Sequence, residues 1–230
     1  YERLVLSLQG LGPAAQVKPA RHVDVEVRSA SSGACYGRTA TDGSGTYSLV
    51  VQPPAGDDIE VLVFSRTLEA PGHDIVVHNA NPPFSPTHSE TNVFQFASAP
   101  TAAASAIVDI QVPYQAGSSS RPAIGFGMLD TLVTCWDELA AVGATPPERA
   151  HAYTRLGNNG VLGTSYYNHS TRSIAILGGA AGLEDDSDTD YFDDAVVAHE
   201  FMHFIDKTMS HNMSRGGSHG GELLEPAFAW

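Results

Sequence analysis

The hydrophobic periodicity of this 230-residue chain changes near residue 121, and that change restricts the fold class more than any other feature. Before it, apolar and polar residues alternate, as in His22–Arg28, which is the pattern of a β-strand with one buried face. After it, from Pro122 to Gly143, apolar residues recur at about every fourth position, which predicts a long amphipathic helix. We therefore expect an α+β fold.

Short strands separated by turn residues are expected throughout the first half of the chain. Glycine and polar residues at Ser29–Gly33 and Asp42–Gly45 are suited to tight turns. The predicted strands are His22–Arg28, Tyr47–Val51, Ile59–Phe64, Val93–Phe96 and Ile107–Val112. Strands at a spacing of roughly ten residues are typical of an antiparallel β-sandwich, which we assign to residues 1–115.

Part of this region is similar to a known accessory module. The segment VEVRSASSGACYGRTATDGSGTYSLVV, followed by GDDIEVLVFSR, resembles the transthyretin-like sandwich of the carboxypeptidase regulatory family. Such modules usually accompany secreted or cell-surface proteins and have no chemistry of their own. The resemblance therefore implies an accessory β-sandwich and an extracellular location.

The charge and hydropathy of the chain exclude two classes of partner. Twelve basic residues against 26 acidic ones give a net charge of −14, and the lysines are Lys18 and Lys207 alone. Nucleic acids and anionic membranes are bound through clustered basic side chains, and the sequence has no such cluster. No apolar run approaches the roughly 18 residues of a membrane-spanning helix. We therefore expect neither a nucleic-acid partner nor a membrane-spanning segment.

The chain has two cysteines, Cys35 and Cys135, which are too few for a zinc site built from four thiolates. Their separation resembles no disulfide framework, and cysteine is among the residue types most often buried in proteins. We therefore predict two buried free thiols, with a single disulfide as the alternative.

Residues 195–208, AVVAHEFMHFIDKT, carry the pattern with the most chemical content. On a helix, His199 and His203 lie one turn apart on the same face, so their imidazoles can share one zinc ion at about 2.0–2.1 Å. Glu200 lies beside them, where it can act as a general base toward a metal-bound water. Composition alone gives about 0.02 chance matches to this His-Glu-x-x-His pattern. We therefore predict His199 and His203 as zinc ligands and Glu200 as the catalytic residue.

The third zinc ligand does not follow the pattern of a metzincin. Asp206 occupies the position of the metzincin glycine, and Met209 occupies that of its third histidine. The alternative is a glutamate farther along, and Glu222 and Glu225 are the only glutamates that follow His203. Asp206 itself has two interpretations: it orients a ligand imidazole, or it is a solvated or capping carboxylate.

Two segments, DTDYFDDAVVAHEFMHFID and SRGGSHGGELLEPAFAW, resemble a group of secreted bacterial gluzincins whose zinc helix is thermolysin-like. In that group a GGSH loop follows the helix, and a Pro-x-x-Ala-Trp segment then leads to a Glu-Gly pair whose glutamate is the third ligand. The match runs through Pro226, Ala229 and Trp230. The resemblance implies that residues 116–230 form the N-terminal part of a zincin-like catalytic domain, truncated before that glutamate. The two glutamates within the chain stay open as alternatives.

Two segments before the zinc helix carry further predictions. The acidic segment 184–194 either wraps a Ca2+ ion with its carboxylates or is a solvated loop whose last aspartate caps the helix. The strand predicted at Ser173–Leu177 stands where zincins place the edge strand that pairs with an extended peptide substrate.

These observations predict zinc-dependent hydrolysis of peptide bonds in extracellular proteins or peptides, by a secreted or cell-surface enzyme. The alternative is a non-catalytic binding or structural module whose metal site is incomplete or a relic. The spacing of the two histidines favours the enzyme, whereas the gap at the third ligand favours the module.

Overall fold

A computed structural model of the protein describes residues 1–7, 10–68, 72–83, 87–103, 107–114, 121–158, 163–180 and 188–210. These residues form a mixed α+β fold with more strands than helices, which confirms the predicted fold class at this level. Its elements are β1 (Glu2–Ser7), β2 (Gly10–Val17), β3 (Val23–Ser29), β4 (Cys35–Ala40), β5 (Asp58–Thr67), β6 (Ile75–Asn79), β7 (Gln95–Ala97), β8 (Thr101–Ala102), α1 (Pro122–Ala141), β9 (Ala150–Thr154), β10 (Tyr166–Asn168), β11 (Ser173–Ala175) and α2 (Asp194–Met209).

Most of the described strands join one sheet in the order β10-β11-β9-β6-β5-β3-β4, and β7 and β8 pair separately with β5. β3 pairs antiparallel with β4 and β5, whereas β9 runs parallel to both β6 and β11. β5 meets β6 at the register pair Arg66–Val76, so the sheet continues through both predicted domains. The predicted boundary between residues 115 and 116 lies outside the described residues and stays a prediction.

Two predicted strands are wrong, because the segments are irregular in the structure: Tyr47–Val51 and Ile107–Val112. Their alternation reflects packing onto neighbouring structure rather than pairing within a sheet. A Cβ added to Gly37 of β4 would lie 3.2 Å from a methyl carbon of Leu49, so this side chain rests directly on the strand. The hydroxyl of Tyr47 donates to the carbonyl of Val108 at 2.7 Å and ties the two segments together. The other three predicted strands overlap β3, β5 and β7.

The predicted long helix is present as α1, and two glycines allow it to approach its neighbours closely. A side chain at Gly125 would overlap the ring of Phe94, and a Cβ on Gly127 would lie 2.6 Å from the ring of Phe192. α1 packs against β5, β6 and α2, and it contributes five large apolar side chains to the core: Phe126, Met128, Leu129, Leu132 and Trp136. Neither α1 nor α2, the helices of the described residues, is long and apolar enough to cross a membrane.

The two cysteines are free thiols, as predicted, but the predicted burial is wrong for Cys35. Cys35 begins β4, the last strand in the sheet order, and its side chain is exposed because no further strand covers that edge within the described residues. Cys135 on α1 is half-buried, and burial raises the pKa of its thiol.

Candidate metal centre

Helix α2 begins at the aspartate pair that ends the acidic segment. Oδ1 of Asp193 accepts hydrogen bonds from the backbone N–H groups of Ala195 (3.0 Å) and Val196 (3.2 Å), so Asp193 is the N-cap. Asp194, in the first turn, accepts a hydrogen bond from the Thr131 hydroxyl of α1 at 2.5 Å. An aspartate of the segment therefore caps α2, but it is Asp193 rather than the predicted last aspartate, Asp194, which instead ties the start of α2 to α1.

The described part of the acidic segment uses its carboxylates within the protein. Asp190 accepts a hydrogen bond from the Ser165 hydroxyl at 2.5 Å, and burial, with the nearby Asp188 and Asp193 charges, raises the pKa of Asp190. The Ser165 contact could not be predicted from sequence periodicity, because it joins residues 25 positions apart. Residues 184–187 lie outside the described residues, so the Ca2+ site stays a prediction.

The buried side of α2 holds the histidine motif in a fixed orientation. The Phe201 ring of α2 lies 6.3 Å from the Trp136 ring of α1, measured between centroids. The Phe204 ring of α2 lies 6.4 Å from the Tyr167 ring of β10. The motif is thus held between α1 and β10, while His199 faces solvent. The side chains of α2 buried in this way are Val197, Glu200, Phe201, Phe204 and Ile205.

The imidazoles of His199 and His203 meet at their Nε2 atoms, which lie within hydrogen-bond distance of each other. Their Nε2 atoms lie 3.1 Å apart, and the two ring planes are nearly perpendicular at 89°. Two nitrogen ligands at 2.0–2.1 Å from a tetrahedral zinc ion lie about 3.3 Å from each other. The donor atoms and their spacing therefore fit one zinc ion with little rearrangement.

The Glu200 carboxyl is shielded from solvent, with only 7% of the residue exposed. Burial raises the pKa of Glu200 to about 7, a hydrogen bond from the backbone of Tyr167 opposes the rise, and the charge of Asp190 adds to it. A carboxyl that gains and loses its proton near neutral pH is suited to general acid–base chemistry. The sequence predicted the position of this residue beside the histidines but not the burial that changes its acidity.

The predicted edge strand is wrong, because β11 lies inside the sheet. Ile174 of β11 pairs with Ala152 of β9 on one side and with Tyr167 of β10 on the other. The chain passes β9, forms β10 at the edge, and then turns back so that β11 inserts between them. β10 is therefore the edge strand of the described sheet beside α2, and the backbone of its Tyr167 contacts Glu200.

Within the described ranges, no third histidine, cysteine, aspartate or glutamate joins the two histidines to form a metal-binding group. Glu222 and Glu225, the alternatives within the chain, lie outside the described residues. Asp206 accepts a hydrogen bond from the hydroxyl of Ser210 at its Oδ1 atom (2.6 Å), and the same hydroxyl contacts its backbone carbonyl. The Ser210 hydroxyl, rather than the Asp206 carboxylate, therefore caps a carbonyl at the end of α2, and Asp206 accepts from that hydroxyl.

No family model, curated protein or solved structure matches this chain. The resemblances to the gluzincins and to the regulatory sandwich therefore rest on the sequence segments that carry them. The geometry that bears on function is the pair of histidines on α2 and the contact of Glu200 with β10.

Proposed function

We propose that this chain is part of a zinc-dependent peptidase in which α2 and β10 belong to a zincin-like catalytic domain. The observation that carries the proposal is the 3.1 Å separation of the His199 and His203 Nε2 atoms, next to the buried carboxyl of Glu200. Chance spacing of two histidines would not by itself place a desolvated carboxyl at the adjoining position. In the same proposal, residues 1–115 form the accessory sandwich of a secreted or cell-surface protein.

The proposed roles follow from the chemistry of each side chain. His199 and His203 would hold the zinc ion through Nε2, with a glutamate after α2 as the third ligand. A bound zinc ion would lower the pKa of water and polarise a substrate carbonyl. Glu200 accepts a proton at its carboxylate and then returns it to the leaving amine, and its pKa near 7 allows both steps at neutral pH.

The surroundings of Glu200 favour an extended peptide as the substrate. β10 pairs with β11 on one side, and within the described residues no strand pairs with its other side. A free strand edge binds an extended chain through backbone hydrogen bonds, irrespective of the side chains it carries. Since the backbone of Tyr167 in β10 also contacts Glu200, a peptide on this edge would pass close to the catalytic carboxyl.

The second candidate is a non-catalytic module, and the observation that favours it is the lack of a third ligand among the described residues. The two candidates differ in turnover, so the full-length protein is the appropriate sample. Zinc content by elemental analysis and cleavage of casein distinguish them.

Three variants sharpen this test. Glu200→Gln should keep one zinc per chain and lose activity by about 10²–10⁴-fold, because it removes the proton acceptor and leaves the imidazoles in place. His203→Ala should lose both zinc and activity. Glu138→Gln, exposed on α1, should change neither. Undiminished casein cleavage by Glu200→Gln would overturn the proposed mechanism.

A further inference from the structure

Three histidines stack on the face of the sheet that turns away from the helices. In β9, Ala150 and Ala152 belong to the core beneath the helices, so the alternate residues His151 and Tyr153 point to the opposite face. His78 of β6 lies on this second face as well, and only 1% of it is exposed. The site therefore differs from the metal centre in both position and composition.

Residues 87–93, the fastened segment, lie against this face, where His88 contacts β9 and Val93 forms an isolated antiparallel bridge with His78 of β6. The His88 ring stacks on His151 with 3.8 Å between centroids and 9° between planes. Its Nδ1 atom lies 2.7 Å from the Tyr153 hydroxyl. Glu90 adds an ion pair with Arg149 at 3.1 Å, and the carbonyl of Asn92 accepts a hydrogen bond from the Asn79 N–H at 2.8 Å.

The stack is arranged for neutral rings. Nε2 of His78 and Nδ1 of His151 form a 3.0 Å hydrogen bond, which requires one of these nitrogens to act as an acceptor. Two protonated rings at stacking distance would repel each other. The direct contact between these two nitrogens occupies both of them, and within the described residues no metal-binding group includes this pair.

The charges around the buried pair do not compensate for protonation. Burial lowers the pKa of His78 to about 3, and the charges of His88 and Arg149 add to the effect. Burial likewise lowers the pKa of His151 to about 3, with His88, His78 and Arg149 acting in the same direction. Tyr153, the remaining titratable group of the stack, stays neutral because burial raises its pKa.

His88 has a more balanced environment. Burial lowers its pKa, while a hydrogen bond to the backbone of Thr171 and the charges of Glu90 and Glu148 oppose that change. Thr171 belongs to the turn between β10 and β11, so His88 contacts both this turn and β9. Its ring lies at the more exposed end of the stack, so we expect it to be the first of the three to be protonated as the pH falls.

We propose that the His78–His88–His151 stack is an acid-sensitive fastening, which holds residues 87–93 on the sheet at neutral pH and releases them in mildly acidic solution. A histidine freed into water titrates near pH 6.5, whereas the stacked form resists protonation. The closed form is therefore fully favoured above about pH 6.5 and loses stability as the pH falls below it. Between pH 7.5 and 5.5, the opening equilibrium should rise about tenfold for each histidine released.

Hydrogen exchange of the whole chain tests this directly. Amide exchange in peptides covering 75–79 and 87–94 is measured at pH 7.5 and 5.5 and divided by the intrinsic rate at each pH. We expect the corrected opening to increase at least tenfold at pH 5.5, while exchange in α1 stays unchanged. An increase below threefold, or an equal increase in α1, would overturn the proposal, because the release would then be absent or global.

Two variants assign the effect to the stack. His88→Phe and His151→Phe each keep a flat ring but cannot be protonated, so each should reduce the ratio of opening at pH 5.5 to opening at pH 7.5, by about tenfold in the case of His151. His169→Phe is the matched control, since His169 is an exposed histidine on the nearby β10–β11 turn. Equal ratios in the wild type and in both stack variants would contradict the assignment. Failure of this test leaves the peptidase proposal unaffected, because the two sites share no residue.

Discussion

The ring of Phe192, one residue before the N-cap of α2, occupies the space that a side chain at Gly127 of α1 would need. The two residues are 65 positions apart, and their contact sets how closely the helices approach. Phe192 itself is 1% exposed, so it has no free direction in which to move. The position of the histidine motif therefore depends on a missing side chain in another helix.

Gly127→Ala should destabilise the protein by about 1–3 kcal/mol, although alanine ordinarily favours a helix over glycine. The added Cβ would lie 2.6 Å from the Phe192 ring and would displace the start of α2. Urea unfolding measures the change, and a loss of zinc affinity should accompany it. Ala140→Ser, on the exposed side of the same helix, should stay within about 0.5 kcal/mol. A stabilised Gly127→Ala variant would disprove the close contact.

Asp193→Ala should cost about 1 kcal/mol, because two backbone N–H groups lose their acceptor. Thermal unfolding of the metal-free protein measures this loss. Asp188→Ala, an exposed aspartate in the same acidic segment, controls for the change in net charge and should have little effect. Equal losses in the two variants would point to charge rather than capping.

The metal-free protein should lose stability through Glu200 as the pH rises from about 4.5 to 7. The folded state raises the pKa of Glu200 to about 7, so the folded protein holds this proton over a range in which the unfolded chain has released it. Glu200→Gln removes this dependence and should be more stable than the wild type by about 2–3 kcal/mol at pH 8. Urea unfolding of both proteins from pH 4 to 8 gives the difference between their free energies of unfolding. Titrating groups that the two proteins share contribute equally to both and cancel in this difference. A constant difference across that range would rule out the buried ionisation.

Asp190→Asn should move the acidic limb of the pH profile of kcat/KM to lower pH. Its negative charge raises the pKa of Glu200, and asparagine removes the charge while it can still accept the hydrogen bond from Ser165. Peptide cleavage from pH 5 to 9 provides the profile. Asp58→Asn, at the start of β5, serves as the control. A shift of the limb to higher pH would contradict the proposed influence of Asp190.

The parts of the structure that follow from local geometry could be predicted from the sequence. The i, i+4 spacing of His199 and His203 places both side chains on one face of a helix, where their Nε2 atoms lie 3.1 Å apart, and Asp193 caps the helix that immediately follows it. The bounds of α1 likewise follow from its apolar period, Pro122 and Gly143.

The remaining features depend on contacts between distant segments, which periodicity does not encode. The insertion of β11 between β9 and β10 decides which strand is the edge, and an alternating segment reads the same in either position. Tyr47–Val51 alternates because it packs across Gly37, not because it pairs in a sheet. The stack of His78, His88 and His151 joins residues up to 73 positions apart, so no local sequence pattern predicts it.

The parallel pairing of β6 with β9 has a consequence for how the chain can be divided. β6 finds this neighbour about 75 residues later, at the register pair Ile75–Ala150. In a fragment ending at residue 115, β6 and its valines would form an unpaired edge of the sheet. Unpaired edge strands form hydrogen bonds with the edge strands of other molecules. Expressed alone, the first half should therefore be prone to aggregate, because β9, the strand that covers this edge, belongs to the second half.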